Sequence, residues 1–383
     1  MSKILWISLN AAYDKVAHAG GKTENYYQKG LKQEYDDLRI LSFALESERA
    51  KMDLDDYKIE NEIKYYPDEF SRILKMIDIY FYSMKAIKRY KKEGYEPDII
   101  VLQWTQMAFL IGYIKRYYPN AKYIVVEEDV TFLSYKRFAD YHKNIIKKFI
   151  YKCIYVAVKF LEIHSIKKSD KTICSNKKDA KLLLDAGISP EIVTNWIPYY
   201  QDLSGMDYVG DKNDIIFYGA MGRPENHMSA LWFIENVLPL IQHLDVRFTV
   251  IGGGAQEALK AHESDKVKIL GYVEELEPHF SSSLCLAAPL VLGAGIKVKV
   301  LEGMSAGLPV VTNEIGIEGI DAVDGKDYIY AEKPEEYAAA IEKLLNDKAY
   351  RMSMSASAKE FLAKEFNLET NRKMFIDLIG ELI

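Results

Sequence analysis

Along this chain, short runs of aliphatic and β-branched residues alternate with longer segments whose apolar positions recur every three or four residues. In the first half the short runs predict strands at Ile4–Leu9, Leu38–Ser42, Ile99–Leu102, Lys122–Val126 and Thr172–Ser175. In the second half they predict strands at Ile215–Gly219, Arg247–Ile251, Val267–Leu270, Leu284–Ala288 and Pro309–Thr312. Between Ser71 and Lys92, the residues Ile73, Leu74, Ile77, Phe81, Met84 and Ile87 stand at helical spacing, and Pro97-Asp98 stops that pattern. Helices are also predicted over Thr23 to Gln33, Ser229–Gln242, Val298–Ala306, Pro334–Leu345 and Leu368–Leu382. Such alternation argues for parallel sheets with crossover helices, the α/β class.

The alternation pauses once. Asn195-Trp196-Ile197-Pro198 and the polar stretch from Gln201 to Asp214 separate two series, which places a hinge near residues 198–213. We therefore expect an N-terminal Rossmann-like domain over 1–200 and a second over 201–365. A C-terminal helical segment, 366–383, has the apolar spacing to cross back to the first domain. A length of 383 residues with 49% apolar content supports two cores rather than one. The net charge of −6 conceals an asymmetry: residues 1–200 carry 33 Lys+Arg against 27 Asp+Glu, residues 201–383 only 17 against 29. The basic half is the one expected to face an anionic surface or substrate. Cys153, Cys174 and Cys285 are far apart and form no CxxC, which points to a reduced compartment rather than zinc or a disulfide frame. Met1 leads directly into a strand-like run without the regions of a signal peptide, so a cytoplasmic location is expected.

The most informative stretch runs from Gly293 to Val311, GAGIKVKVLEGMSAGLPVV. It follows an apolar strand and opens a helix that Gly307 and Pro309 end. A strand, glycine loop and helix start present unpaired backbone N–H groups to a phosphate. Lys299 and Glu302, three apart, share one face of that helix. Lys297 and Lys299 oppose the helix dipole, which an intervening anion would relieve; solvated charges on a surface helix are the other reading.

Leu301 to Val311, LEGMSAGLPVV, resembles the donor-site signature of retaining glycosyltransferases of the GT-B fold, in particular the GT4-like family. That family carries Glu-x7-Glu ending in LEAMACGxPVV, and the resemblance implies that Glu302 hydrogen-bonds the nucleotide ribose. Eight residues earlier stands Ala294, not Glu, so contacts to the donor sugar would fall to backbone near Gly295 and Ile296. Gly219-Ala220-Met221 with Pro224-Glu225-Asn226-His227 resembles the family's strand–Gly turn. The family's diphosphate-gripping Arg and Lys are replaced there by Ala220 and Glu225, leaving Arg223, Lys297 and Lys299 as substitutes. Val250 to Gly254 resembles the family's VIGxG turn and brings in Gly253. Val267 to Val273 resembles the strand after which the backbone of Tyr272 and Val273 would meet the base.

The first strand is followed by Asp14 and Lys15 and then by the run Ala17-His18-Ala19-Gly20-Gly21, which resembles the N-terminal Gly-rich loop of the same family. This implies that Gly20 and Gly21 approach donor phosphate and that His18 faces the reaction. The run is not GxGxxG, and no acidic residue closes the next strand for a dinucleotide ribose, which disfavours NAD. Glu127-Glu128-Asp129 follow the strand Lys122–Val126; relatives place a His-Asp pair there, so Glu128 and Asp129 become catalytic candidates. An acidic loop near basic helices is the alternative.

From Lys136 to Lys171 ten Lys+Arg stand against three acids, and Phe149 to Ile163 is almost wholly apolar. That run falls short of the ~20 residues needed to span a bilayer. It suits either a helix lying on anionic lipid or a core helix with snorkelling lysines. We expect two Rossmann-like domains facing each other across a cleft, the GT-B arrangement. The resemblance implies transfer from a nucleotide diphosphate-sugar to a glycan or lipid-linked acceptor, retaining and metal-independent, in bacterial surface polysaccharide or glycoconjugate synthesis. The expected partners are the nucleotide-sugar, that acceptor and an anionic membrane surface through 136–171, with no separate cofactor and no nucleic acid. The alternatives are a non-catalytic GT-B subunit beside a partner glycosyltransferase, and a GT-B nucleotide-sugar epimerase.

Overall fold

A computed structural model describes residues 2–14, 16, 19–52, 60–255 and 257–383. The chain divides into two units, Met1–Tyr199 with Leu368–Ile383, and Tyr200–Asn367.

The first unit is a seven-stranded sheet of β1 (Lys3–Ser8), β2 (Asp37–Leu45), β3 (Glu60–Tyr66), β4 (Ile99–Gln103), β5 (Lys122–Glu127), β6 (Lys171–Cys174) and β7 (Val193–Asn195). The order is β3-β2-β1-β4-β5-β6-β7, paired in parallel throughout, and it reverses direction between β1 and β4. Strands buried on both faces read as near-continuous apolar runs, as Ile99–Gln103 does, with all five residues buried. One face is covered by the helices Arg72–Lys92, Ile111–Ile114 and Ile145–Ile166, whose Ile79, Ile87, Ile111 and Ile166 join Leu5, Ile7 and Val125 in a single core. The other face is covered by Ala19–Glu34 and by the last helix, Leu368–Leu382. Phe375, Leu378 and Ile379 of that last helix are buried at i, i+3, i+4 spacing; Phe375 meets Trp196 edge-on at 4.5 Å and Trp6 at 6.1 Å. Asn371 pins it by donating to the Ile197 carbonyl at 3.0 Å.

The second unit is a six-stranded sheet of β8 (Asp214–Tyr218), β9 (Arg247–Ile251), β10 (Val267–Gly271), β11 (Cys285–Ala288), β12 (Val310–Thr312) and β13 (Ile329–Tyr330). Its order, β10-β9-β8-β11-β12-β13, is again parallel and reverses between β8 and β11. The expected helix Ser229–Gln242 is instead an α-helix Pro224–Trp232, a π turn Phe233–Val237 and a 3-10 turn Leu238–Ile241. Pro239 is the reason: it has no N–H to continue the α ladder, and its ring excludes the carbonyl four residues back.

The helix expected between Ser71 and Lys92 forms over Arg72–Lys92, with its apolar residues split between two faces. Ile79, Ser83, Ala86, Ile87 and Tyr90 are buried, while Ile73, Leu74, Ile77 and Phe81 are exposed. Among the described residues, no helix is long and apolar enough to cross a membrane.

Candidate functional site

Ligands of open parallel sheets bind beyond the carboxyl ends of the strands, where the strand order reverses. In the second unit that place is the end of β8 beside β11. Tyr218 is the last residue of β8, and the helix Val298–Ser305 begins after the loop that leaves β11. Glu302 on this helix is buried; its Oε2 accepts from the Tyr218 hydroxyl and its Oε1 from the Gln201 amide at 3.2 Å. Burial, reinforced by the Glu302 carboxylate, pushes the Tyr218 hydroxyl far above its ordinary pKa, so it remains a donor. A carboxylate offers about four lone-pair sites, so both oxygens keep acceptor capacity for a diol.

One turn earlier, Lys299 donates to Asn226 Oδ1 at 2.7 Å and lies 4.3 Å from the centre of the Phe217 ring. Burial lowers its pKa to about 7, and the Arg223 charge pushes the same way while Glu225 opposes it. The ammonium is thus held close to neutrality. It stands 3.0 Å from where a Cβ on Gly219 would project, and Asn226 Nδ2 stands 2.7 Å from that point. Asn226 is itself fixed by donating to the Ala220 carbonyl at 3.0 Å.

The neighbouring strand ends are pressed together. Gly252 adopts φ 136°, and a side chain there would overlap the Gly219 carbonyl. Met221 donates to the Gly253 carbonyl at 2.8 Å, and Gly253 lies under Tyr272, which is 78% exposed just past β10. Val273 follows, half-buried. Gly219, Gly253, Lys299 and Glu302 therefore occupy one end of the sheet, with Tyr272 and Val273 at its margin. Gly295, at φ 68°, and Ile296 lie in the loop before the helix.

Two of the expected cations are committed elsewhere. Lys297 is the cap residue before Val298 rather than part of the first turn; its ammonium curls back to the Ala294 and Gly295 carbonyls and lies 3.8 Å from Glu318. Arg223 forms an ion pair with Glu225. Lys299, half-buried, is the expected cation that the fold leaves at the strand ends. Tyr218 and Asn226, which hold Glu302 and Lys299, went unnoticed in the sequence. A polar residue ending an apolar strand and an Asn in the first turn after Pro224 were the only signals. A hollow of about 410 Å³ lined by Asp214, Arg247 and Lys266 lies at the amino ends of β8, β9 and β10, the wrong end of the sheet for this chemistry.

In the first unit the corresponding place is the carboxyl end of β1 beside β4. Glu24, absent from the sequence-based candidates, is buried there; Ser8 Oγ donates to it at 2.7 Å and Gln28 Nε2 at 2.8 Å. Burial raises its pKa well above the ordinary value, and the nearby Glu128 charge adds to this. Glu128 accepts from Gln103 Nε2 at 2.6 Å; burial pushes it up to about 8, with Asp129 acting in the same direction. Asp129 is half-exposed beside it. Gly20 and Gly21 do not form a loop: both are buried in the first turn of the helix Ala19–Glu34. A Cβ on Gly20 would overlap the ring of Trp104 and come within 3.2 Å of Glu128, so this glycine makes room for an indole rather than for a phosphate. Trp104 holds a left-handed φ of 77° at the end of β4, a strained backbone at a strand end. His18, the third catalytic candidate, lies outside the described residues.

Glu127 points to the opposite side, where it accepts from Thr105 Oγ1. Near it, Glu162 caps the helix Thr131–Tyr141 by accepting from the Thr131 and Phe132 amides at 2.9 Å each. Among the described residues, no group of His, Cys, Asp and Glu has the arrangement to hold a metal ion.

The family model "Glycosyl transferases group 1" matches residues 212–347. An uncharacterized 44.6 kDa protein in the cps region of Klebsiella pneumoniae is 22% identical over 263 residues, which is 64% of this chain and 65% of that protein, just short of two thirds of its length. The structure of Anabaena HepE in complex with UDP aligns with a TM-score of 0.71 at 11% identity, over 99% of this chain and all of that one. WaaG, a glycosyltransferase involved in lipopolysaccharide biosynthesis, aligns with a TM-score of 0.70 at 13% identity, over 98% of this chain and 99% of that one. Residues 212–347 therefore form a domain of the glycosyl transferases group 1 family, and the chain as a whole has the GT-B fold of these glycosyltransferases.

Proposed function

We propose that the chain transfers a sugar from a nucleotide diphosphate-sugar, with UDP as the nucleotide, to a lipid-linked or glycan acceptor in bacterial surface polysaccharide or glycoconjugate synthesis. One observation carries the donor part of this reading: at the reversal point of the second sheet, a half-buried lysine with a pKa lowered to about 7 stands one turn from a buried carboxylate. A diphosphate placed against Lys299 restores its full charge in a low-dielectric site, where such contacts are strongest. The ribose hydroxyls then share Glu302 with Tyr218, and the base lies against Tyr272 and Val273. The HepE complex supports the choice of UDP, and the cps-region and lipopolysaccharide relatives support the pathway.

Transfer is retaining and metal-independent on this reading. The departing phosphate assists acceptor deprotonation on the same face, and catalysis rests on positioning and on stabilising diphosphate charge. Glu128, with a pKa of about 8 and so largely protonated, is suited to relaying that proton: it gives its own proton to the departing phosphate oxygen as it takes the one from the acceptor hydroxyl, and Asp129 and Glu24 set its environment. The acceptor is lipid-linked because the helix Ile145–Ile166 turns an apolar, lysine-flanked face to solvent, as an interfacial helix does on the inner face of a membrane. That exposure favours the interfacial reading of residues 136–171 over a core helix.

A thermal-shift panel of UDP, GDP, ADP and dTDP tests the donor assignment. UDP should raise the melting temperature by mass action, by far more than the other three, and Glu302→Ala should abolish the rise. A flat response to all four nucleotides refutes the proposal. The Ala294 substitution gives one specific reason to keep a second reading, a non-catalytic subunit. That reading wins if UDP binds and neither hydrolysis nor transfer from UDP-sugars to lipid acceptors is seen. Conversion of the donor sugar by NMR with no acceptor present would point to an epimerase instead.

A further inference from the structure

We infer that the first unit meets the membrane through two helices: the outer face of Arg72–Lys92, residues 70–81, is a second contact that inserts into an anionic bilayer beside the 145–160 face. This rests on the membrane reading of residues 136–171 and extends it to a segment far away in sequence.

The exposed side chains of this helix form a stripe. Ile73, Leu74, Ile77 and Phe81 follow three- and four-residue spacing, Phe70 just before the helix continues the line, and Ile73 is 74% and Phe81 58% exposed. The opposite stripe, Ile79, Ser83, Ala86, Ile87 and Tyr90, is the one buried on the sheet. A helix that already has a buried face does not need a second apolar one to fold, and monomeric proteins rarely expose contiguous apolar patches of this kind without a partner. The helix Ile145–Ile166 repeats the arrangement. Ile145, Phe149, Val156 and Phe160 lie along one stripe, with Ile145 81% and Phe149 68% exposed.

Both helices lie on one side of the seven-stranded sheet, because Ile79 and Ile87 of one and Ile166 of the other belong to the same core. The short helix Thr105–Ala108 touches both: the Tyr80 hydroxyl donates to the Gln106 carbonyl at 3.1 Å, and Thr105–Ala108 packs on Ile145–Ile166. The two apolar stripes therefore flank a common element of one layer.

Charge identifies the occupant. Lys85 and Lys88 are exposed on Arg72–Lys92 just beyond the stripe, and Lys143, Lys147 and Lys152 are exposed on and beside the other. Lysine is depleted at the centre of protein–protein interfaces, whereas an apolar stripe edged with lysine matches the acyl boundary below anionic headgroups. The occupant is thus a bilayer carrying acidic lipid, not a second copy of this chain.

The three cysteines provide the test. Cys153 is exposed on the 145–160 stripe, while Cys174 and Cys285 are buried, so an environment-sensitive thiol dye reports on that stripe in the natural sequence. The same dye at Ile73→Cys in a Cys153→Ser background reports on the other. With vesicles of phosphatidylglycerol both dyes should shift to the blue, and with phosphatidylcholine alone neither should. In vesicle sedimentation, Ile77→Ser/Phe81→Ser should lower the bound-to-free ratio about tenfold and leave the UDP thermal shift unchanged. A shift at Cys153 without one at position 73 overturns the second contact and leaves the first standing; no shift at either site overturns both. A shift at position 73 that needs no vesicles and accompanies a doubling of mass in solution assigns the stripe to a second copy and also overturns the inference. Because one dye reading uses the natural sequence and the other only two changes at exposed positions, they decide the matter even if the Ile77→Ser/Phe81→Ser variant is poorly folded.

Discussion

The two sheets reverse direction in the same way, yet the groups gathered at their reversal points are electrostatic opposites. In the second unit a lysine is pressed toward its neutral form; in the first, two carboxylic acids are. In both cases burial is the principal cause, which removes water from the charged form whichever sign it has. The contrast teaches what each place gains from a ligand. A half-buried, half-neutral lysine gains most from an anion, which restores its charge. A buried, protonated carboxyl gains most from a neutral hydroxyl, with which it can trade a proton. The same topology thus yields a phosphate seat in one unit and an acid–base seat in the other.

The largest effect should come from removing the acid. Glu128→Gln keeps the hydrogen-bonding shape but not the exchangeable proton, so turnover with a lipid-linked acceptor should fall about 10²–10⁴-fold. UDP affinity should be unchanged, because the residue is assigned to the acceptor. The pKa of Glu128 is raised in the folded protein, so its contribution to stability is lost as pH rises from the ordinary carboxyl range through about 8. The Gln variant escapes that loss. It should melt about 2–4 °C higher than the parent at pH 8, the shift that ~1 kcal/mol produces in a domain of this size, and no higher at pH 4. Equal losses in turnover and in UDP affinity would erase the division of labour between the units.

Next in size is the loss of the cation. Lys299→Met retains the length of the side chain over Phe217 and removes a charge-assisted contact of ~1.5–3 kcal/mol, so UDP should bind about 10–100-fold more weakly by calorimetry. Asn226→Ala should give a smaller loss, since it frees the ammonium without deleting it. If Lys299→Met binds UDP as the parent does, the phosphate seat lies elsewhere.

Gly20→Ala separates a packing role from a ligand role. The added methyl meets the Trp104 ring, and overpacking of this kind costs ~1–3 kcal/mol. Denaturant unfolding should show that loss, with UDP affinity intact. A variant that is fully stable yet impaired in UDP binding would return Gly20 to the phosphate loop that its sequence context suggested.

What the sequence conveyed of this division was uneven, for identifiable reasons. The central strands were legible because burial on both faces leaves near-continuous apolar runs, as at Ile99–Gln103 and Arg247–Ile251. Among the edge strands β10 was legible too, as Val267–Leu270, but β3, β7 and β13 were not. β3 pairs only with β2 and alternates Glu60, Glu62 and Lys64 with its other residues, and β13 has two residues. Glu302 and Lys299 were found through a local motif, since three-residue spacing on a helix specifies a shared face. Tyr218 and Asn226 were missed because their partners are distant along the chain: Tyr218 and Glu302 are 84 residues apart, Asn226 and Lys299 73. Glu24 has partners close in sequence, Ser8 and Gln28, but its burial beneath the sheet end leaves no local signal. The periodicity of residues 73–87 identified the helix and left its surroundings open, because spacing reveals that a face is apolar but not what covers it.

The finest test of the comparison lies in protons rather than in affinity alone. Lys299 titrates near 7 in the unliganded protein, and a diphosphate against it must raise that value. At pH 8 the free protein therefore has this lysine largely neutral, and binding must draw in a proton. UDP affinity should weaken as pH climbs above 7, approaching tenfold per unit while the bound form stays protonated. Below pH 7 the dependence should flatten, because the lysine is already charged before UDP arrives. Calorimetry at pH 8 in two buffers of different ionisation enthalpy should register uptake approaching one proton, and Lys299→Met should register none. The first unit predicts the same sign at a higher pH: an acceptor hydroxyl bonded to protonated Glu128 should bind without net proton exchange below pH 7 and draw in a proton only as pH passes about 8. Proton uptake with UDP that survives in Lys299→Met would mean that another group answers the diphosphate charge, and the opposition between the two sheet ends would lose its cationic half.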